Sequence, residues 1–245
     1  MDILSLIGAL GGVGFILLGQ HIEGGEAHTV VNAAAAVIVF GGTTGACLLE
    51  TSPKIFKKAL SSVRYVFMPK KVDYIEAIEK IVGWSNIVRK QGLLGLETVA
   101  SKEEVEFDKR ALFLLIDGAT AKIIQETLEV EVDAKLELDT KAAKMFESLG
   151  GYAPTVGIIG AVLGLIHVMG NLQDPSKLGA GIASAFVATV YGIGFANLFC
   201  LPISKKLIYL ISQDAKMATI VIEGVLGISQ GENPKIIENK LKGFI

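Results

Sequence analysis

Four stretches of this chain run for roughly the width of a bilayer without an Asp, Glu, Lys or Arg: residues 3–20, 27–49, 148–173 and 178–204. An α-helix needs about 20 consecutive, mostly apolar residues to cross the hydrocarbon core. No strand pattern is legible. The expected fold is therefore an all-α membrane protein, with four transmembrane helices and a helical cytoplasmic domain inserted between spans two and three.

The distribution of cations orients the spans. Cytoplasmic loops carry the excess of Lys and Arg. Residues 50–147 hold 16 of the 23, the segment from Lys205 onward holds 6, the link 21–26 holds none, and the link between spans three and four holds only Lys177. Both termini and the 50–147 segment are thus expected on the cytoplasmic side of the membrane. The expected division is a hairpin over 1–50, a cytoplasmic domain over 51–147, a second hairpin over 148–204 and cytoplasmic helices over 205–245. The start Met1-Asp2 lacks a basic region, so the first apolar run is read as a retained span and not a cleaved signal.

The apolar content is 51% with only 7% aromatics, and the chain has 28 Gly. Small residues let membrane helices approach closely. Gly8 with Gly12, and Gly160 with Gly164, form GxxxG pairs that serve packing either within one chain or between chains. Cys47 and Cys200 fall inside apolar runs and read as packing residues, not as a disulfide or a metal pair.

On the cytoplasmic side, Pro53 to Met68 reads as an amphipathic helix. Ile55, Phe56, Ala59, Leu60, Val63, Val66 and Phe67 recur at helical spacing, and Lys54, Lys57, Lys58 and Arg64 supply a basic face. That pattern predicts a helix lying on the inner membrane surface. A second helix is expected from about Val72 to Val99. A third stretch, about Lys102 to Ser148, is expected to run on into span three. Ser204 to Ser229 reads as helix, Gly231-Glu232-Asn233-Pro234 as a turn, and Pro234 as the opening of a short last helix.

No span contains a carboxylate, although intramembrane ionisable groups normally mark ion paths. His167 is the one ionisable residue there, and reads either as a packing residue near the interface or as a proton relay. Hydroxyls are present: Thr155 at the inner end of span three and Thr189 near the middle of span four. A membrane Thr often bonds back to its own helix. There is no Walker A, GxSxG, HExxH or CxxC motif, and no basic patch with interleaved aromatics. An enzyme, a resident cofactor or metal, and a nucleic-acid partner are not expected.

Several local motifs, taken in order, resemble the MotA/PomA stator subunits of the bacterial flagellar motor. They are Arg89-Lys90-Gln91-Gly92-Leu93-Leu94-Gly95-Leu96-Glu97, Ala153-Pro154-Thr155-Val156-Gly157, Ala188-Thr189-Val190-Tyr191-Gly192 with Pro202 beyond, and Gly231-Glu232-Asn233-Pro234 with the helix after it. The resemblance covers essentially the whole chain. It implies a single-span MotB/PomB-type partner that supplies the ion-carrying Asp, a homopentameric ring in membrane lipid, and a rotor switch-complex protein as the target of torque.

The resemblance also assigns residues. Thr189 is placed beside the partner's Asp, with Phe186 one turn away excluding water. Thr155 and position 161 are placed on the ion path, and Pro154 and Pro202 in the coupling of ion passage to movement. Arg89 and Glu97 are assigned to the rotor contact. Eight residues apart on one helix, they would share a broad face. Sodium-driven relatives carry a Thr seven residues after the third-span Pro. Here that position is Ala161, which favours protons. The alternative is an ExbB/TolQ-like or defence-system ion-driven motor subunit. A lone channel or transporter fits less well, because the spans lack a carboxylate.

Overall fold

The structure is a computed structural model, and it describes residues 2–170 and 175–245. Its main helices are α1 (Ile3–Ile22), α2 (Ala33–Glu50), α3 (Pro53–Phe67), α4 (Tyr74–Gln91), α5 (Glu97–Lys102), α6 (Glu106–Ile116), α7 (Ala121–Met169), α8 (Pro175–Gly194), α9 (Leu201–Ser229) and α10 (Pro234–Lys242). Every described element is helical, and four helical stretches are long and apolar enough to cross a membrane. The chain is a multi-pass membrane protein. The expected end of span three at Gln173 lies outside the described residues, as does the side chain of Lys177.

The helix starts follow their caps. Asp2, Ser52, Asp73 and Asn233 each place a side-chain oxygen on a backbone N–H of the first turn, which satisfies one of the four donors a helix leaves free there. Span two begins later than the uncharged run suggests. Residues 27–30 form a separate single turn, and Asn32 accepts from the backbone N–H of Ala35 to open α2.

Two expected helices are broken by glycine. The helix expected over 72–99 ends at Gln91, because Gly92 adopts φ 76°, a conformation that L side chains rarely take and that closes helices. A single tight turn, Leu93–Leu96, then leads into α5. The stretch expected from Lys102 onward is interrupted at Glu103–Val105, and again after α6, where Gly118 adopts φ 68°. From Ala121 the expectation of one helix passing into span three holds: α7 has 49 residues without a break. At 1.5 Å per residue that is about 73 Å, more than twice the hydrocarbon thickness.

The chain divides into two compact units. One comprises the residues up to Pro69 and 139–209, and contains the spans and α3. The other comprises 70–138 and 210–245, and has a conventional core. Ile81, Leu96, Leu112, Leu115, Ile124, Leu128, Ile220, Val225, Ile237 and Leu241 are fully buried there, with Trp84 among them. Helices α7 and α9 each contribute residues to both units.

Candidate functional site

Spans three and four meet along a seam of small residues. A Cβ at Gly157 would lie 2.9 Å from the carbonyl oxygen of Ala188 and 3.4 Å from Cα of Thr189. A Cβ at Gly160 would lie 2.8 Å from Cβ of Ala188, and one at Gly164 2.9 Å from Cβ of Ala185. Gly192 sits against the carbonyl of Ala153 in the same way. The Gly160/Gly164 pair thus serves packing within the chain. Gly12 approaches the side chain of Leu198, whereas Gly8 faces open space. Without a hydrophobic drive between helices in lipid, this close fit is what holds them.

The residues that close the seam, Ala185, Ala188, Gly192, Ala196 and Cys200, recur at three- and four-residue spacing and are buried. The face of α8 adjoining this seam is open. Ile182, Phe186, Thr189 and Ile193 line it, with Thr189 half-buried and Phe186 65% exposed. On α7, Ile158, Ile159, Val162 and Ile166 are likewise exposed. A single chain therefore presents an uncovered apolar surface with a hydroxyl in its midst.

The expected path residues are not all on one face. Thr189 and Phe186 lie one turn apart, and Gly157 brings the backbone of Thr189 against α7. Ala161 is half-buried, between Gly157 and Gly164 in the helical repeat. Thr155 lies about 120° around α7 from Ala161 by ideal helix geometry. It is exposed, and its hydroxyl donates to the carbonyl of Tyr152 at 2.8 Å.

Neither proline ends its helix. Pro154 lies inside α7. Pro202 is the second residue of α9, directly after a widened π turn over Phe195–Cys200. Proline has no N–H to donate and its ring crowds the carbonyl four residues back, which accounts for the widening there.

A polar network fixes the start of span two to span four. The hydroxyl of Tyr191 donates to the carbonyl of Val30 at 2.6 Å and accepts from the backbone N–H of Asn32 at 3.1 Å. The side-chain amide of Asn32 donates to the Ser184 hydroxyl at 2.7 Å. Phe40 stacks on the Tyr191 ring at 5.9 Å and meets Phe195 edge-on at 5.1 Å. Tyr191 is a near neighbour of Thr189, so this network sets the register at which Thr189 is presented.

The other ends of the spans are tied by charge. Tyr152 donates to Glu50 at 2.8 Å, and Lys58 pairs with Asp139 at 2.7 Å. Asp2 gathers three elements: it caps α1 through Ser5, pairs with Lys206 of α9 at 2.6 Å, and donates its backbone N–H to the carbonyl of Phe67 in α3 at 2.8 Å. Lys206, with the Ser5 backbone and hydroxyl, holds the Asp2 carboxyl down at about 2.

In the second unit, Arg89 and Lys90 stand exposed in the last turn of α4 and Glu97 stands exposed as the first residue of α5. The expectation that Arg89 and Glu97 share one helix face is overturned by the Gly92 break. They are displayed instead on two helices joined by the turn Leu93–Leu96. Beneath this turn Leu96 is buried. Nearby, Lys80 bridges Asp108 at 2.5 Å and Glu103 at 3.2 Å and lies over the Trp84 ring at 5.2 Å. Burial pushes the Asp108 carboxyl above its ordinary range, and Lys80 pulls it part of the way back.

Sequence reasoning missed Asp2, Asn32 and Tyr191. The capping position of Asp2, three residues before Ser5, was a readable signal. The pairing of Asn32 with Tyr191 spans 159 residues and left no local trace.

The profile of the MotA/TolQ/ExbB proton channel family matches residues 99–219. Motility protein A of Helicobacter pylori is 34% identical over 245 residues, covering 100% of this chain and 95% of its own length. Motility protein A of Bacillus subtilis is 35% identical over 248 residues, with 100% and 91% covered, and chemotaxis protein PomA of Vibrio alginolyticus is 30% identical over 245 residues, with 100% and 96% covered. The solved structure of C. jejuni MotAB aligns with a TM-score of 0.95 at 33% identity, covering 100% of this chain and 96% of that one. The flagellar MotAB stator complex of Bacillus subtilis aligns at 0.88 and 32%, with 98% and 94% covered. Matched in sequence and fold along its whole length, the chain belongs to the MotA/TolQ/ExbB proton channel family.

Proposed function

We infer that this chain is the multi-pass stator subunit of a bacterial flagellar motor. The observation that carries the reading is the open face of α7 and α8. It presents hydroxyls and apolar groups and no carboxylate among its described residues, beside a fold that matches MotAB stator chains end to end. A path of this kind needs an ionisable group from elsewhere. The single-span MotB/PomB-type partner supplies it as an Asp, between a ring of five copies of this chain set in the inner membrane with both termini in the cytoplasm.

The chemistry follows from the residues. An isolated carboxylate is costly in a low-dielectric surround, and a nearby hydroxyl lowers that cost by donating to it. Thr189 has that role, and Phe186 keeps bulk water from bypassing the carboxylate. A proton needs only the carboxylate and a short polar path, whereas sodium needs several oxygen ligands. Ala161 offers none, so the ion is the proton. One charge crossing 100 mV yields about 2.3 kcal/mol. That is enough to bias a packed small-residue interface between discrete positions, which is how ion passage turns the ring.

Torque leaves through the helices. α7 and α9 run unbroken from the spans into the second unit, Pro154 and the π turn before Pro202 give each a place to flex, and the Arg89–Glu97 segment engages the rotor switch-complex protein. Opposite charges exposed on either side of a turn steer and register a partner.

The test is ion flux into liposomes. Chain alone is expected to conduct nothing, and chain co-reconstituted with an Asp-bearing single-span partner is expected to conduct protons. Substantial selective flux from the chain alone would refute the reading and favour a self-sufficient channel.

A further inference from the structure

The helix α3 has a face the proposed mechanism leaves unused. Ala59, Ser62 and Val66 bury one side of it within its own unit. It is held there near its middle by Lys58 on Asp139, and at its last residue by the Phe67 carbonyl, which accepts from the backbone N–H of Asp2. Its orientation is therefore fixed. The outward side carries Lys54, Lys57, Leu60 and Arg64 at three- and four-residue spacing, with Met68 directly past the helix end, all exposed, with Leu60 at 65% and Met68 at 60%. The helix contains four cations and no carboxylate. Lys58 pairs with Asp139. Among the described residues, no ion pair is found for Lys54 or Lys57, and Arg64 is engaged by the Tyr65 ring and hydroxyl.

The place of this face in the chain says what covers it. α3 starts three residues after span two ends at Glu50, so it lies where a span leaves the hydrocarbon. Cations interleaved with exposed Leu and Met suit a surface where headgroups are anionic and acyl chains begin. Water alone would not stabilise the apolar groups, and an apolar protein face would strand the cations.

We propose that α3 is an anionic-phospholipid binding surface: Lys54, Lys57 and Arg64 hold the phosphates of acidic headgroups, while Leu60 and Met68 enter the acyl region. The lysines act as point charges, and Arg64, braced against Tyr65, presents its fork to a phosphate. The bound lipids fix the height of the inner ends of spans one, two and four. The inference rests on placing α3 on the inner side of the membrane.

The experiment uses the full chain in phosphatidylcholine nanodiscs doped with spin-labelled phosphatidylglycerol or spin-labelled phosphatidylcholine. Electron paramagnetic resonance reads the motionally restricted fraction of each. The expected result is a several-fold preference for phosphatidylglycerol that falls with salt, since each cation near an acidic surface contributes on the order of fivefold. The triple variant Lys54→Gln, Lys57→Gln, Arg64→Gln should lose most of it, and the matched variant Lys54→Arg, Lys57→Arg should keep it. Equal restriction of the two lipids by the native chain, or a preference unchanged in the triple variant, overturns the proposal. Cross-linking of Leu60→Cys between copies, with no lipid preference, would assign the face to a neighbouring chain. Sidedness is read separately, by impermeant thiol labelling of Lys57→Cys in oriented vesicles, so a failure of topology is distinct from a failure of lipid binding.

Discussion

At the scale of single residues, what an atom touches decides more than what type it is. Gly8 and Gly157 look alike in the sequence, each in an apolar run. A methyl at Gly8 meets nothing, whereas one at Gly157 meets the backbone of Ala188. Gly157→Val should therefore lower the thermal stability of the detergent-purified chain, by about 1–3 kcal/mol as overpacking usually does, while Gly8→Ala leaves it unchanged. Asp2 has a pH signature of its own. Its carboxyl is depressed from 3.8 to about 2 in the folded chain, so the stability it contributes is present above its ordinary value and is lost as pH falls through about 2. Asp2→Asn should lower the melting temperature at neutral pH, and the gap to the native chain should close on acidification. Ala161 carries the ion assignment. Swimming speed in cells relying on this chain should be independent of external sodium at fixed pH. Speed that collapses without sodium would mean that carbonyls or partner oxygens replace the missing Thr hydroxyl.

Elements were readable where one local rule governs them. The four spans stand out because charge is excluded over their whole length, and α3 and α10 because proline and a capping residue mark their starts. The breaks at Gly92 and Gly118 were signalled too, by basic residues ahead of the first and by Asp117 before the second. A strong apolar periodicity on both sides of Gly92 masked the first. The Tyr191–Asn32 network was beyond reach, since nothing local to either residue names the other. The Gly92 break changes how the charged segment is displayed. Arg89 and Glu97 flank a helix–turn–helix corner and do not share one face of one helix, so each can meet a separate partner group. Arg89→Glu is expected to reduce torque or stator recruitment, measured from tethered cells, while membrane insertion and ring assembly stay intact. Normal swimming under high load in that variant would remove the corner from the rotor contact. Because Leu96 beneath it is fully buried, a substitution there would test folding and not recognition.

For the whole molecule, the decisive fact is that two helices belong both to the unit with the spans and to the unit with the soluble-type core. An unbroken helix is stiff along its axis, because every turn is clamped by its own hydrogen bonds, and it loses that stiffness where the ladder is interrupted. Ion passage and torque are therefore separable. Two glycines inserted after Leu136 would interrupt α7 between the Lys135–Asp214 pair and the Lys58–Asp139 pair, leaving the seam of spans three and four in place. Proton flux through the chain reconstituted with its single-span partner should persist within a few-fold of normal. Torque in cells should fall steeply without vanishing, since α9 remains continuous. If flux and torque fell together, the insertion would have disturbed the spans themselves. If torque survived undiminished, α7 would not transmit the force, and α9 with its π turn and Pro202 would have to carry the coupling alone.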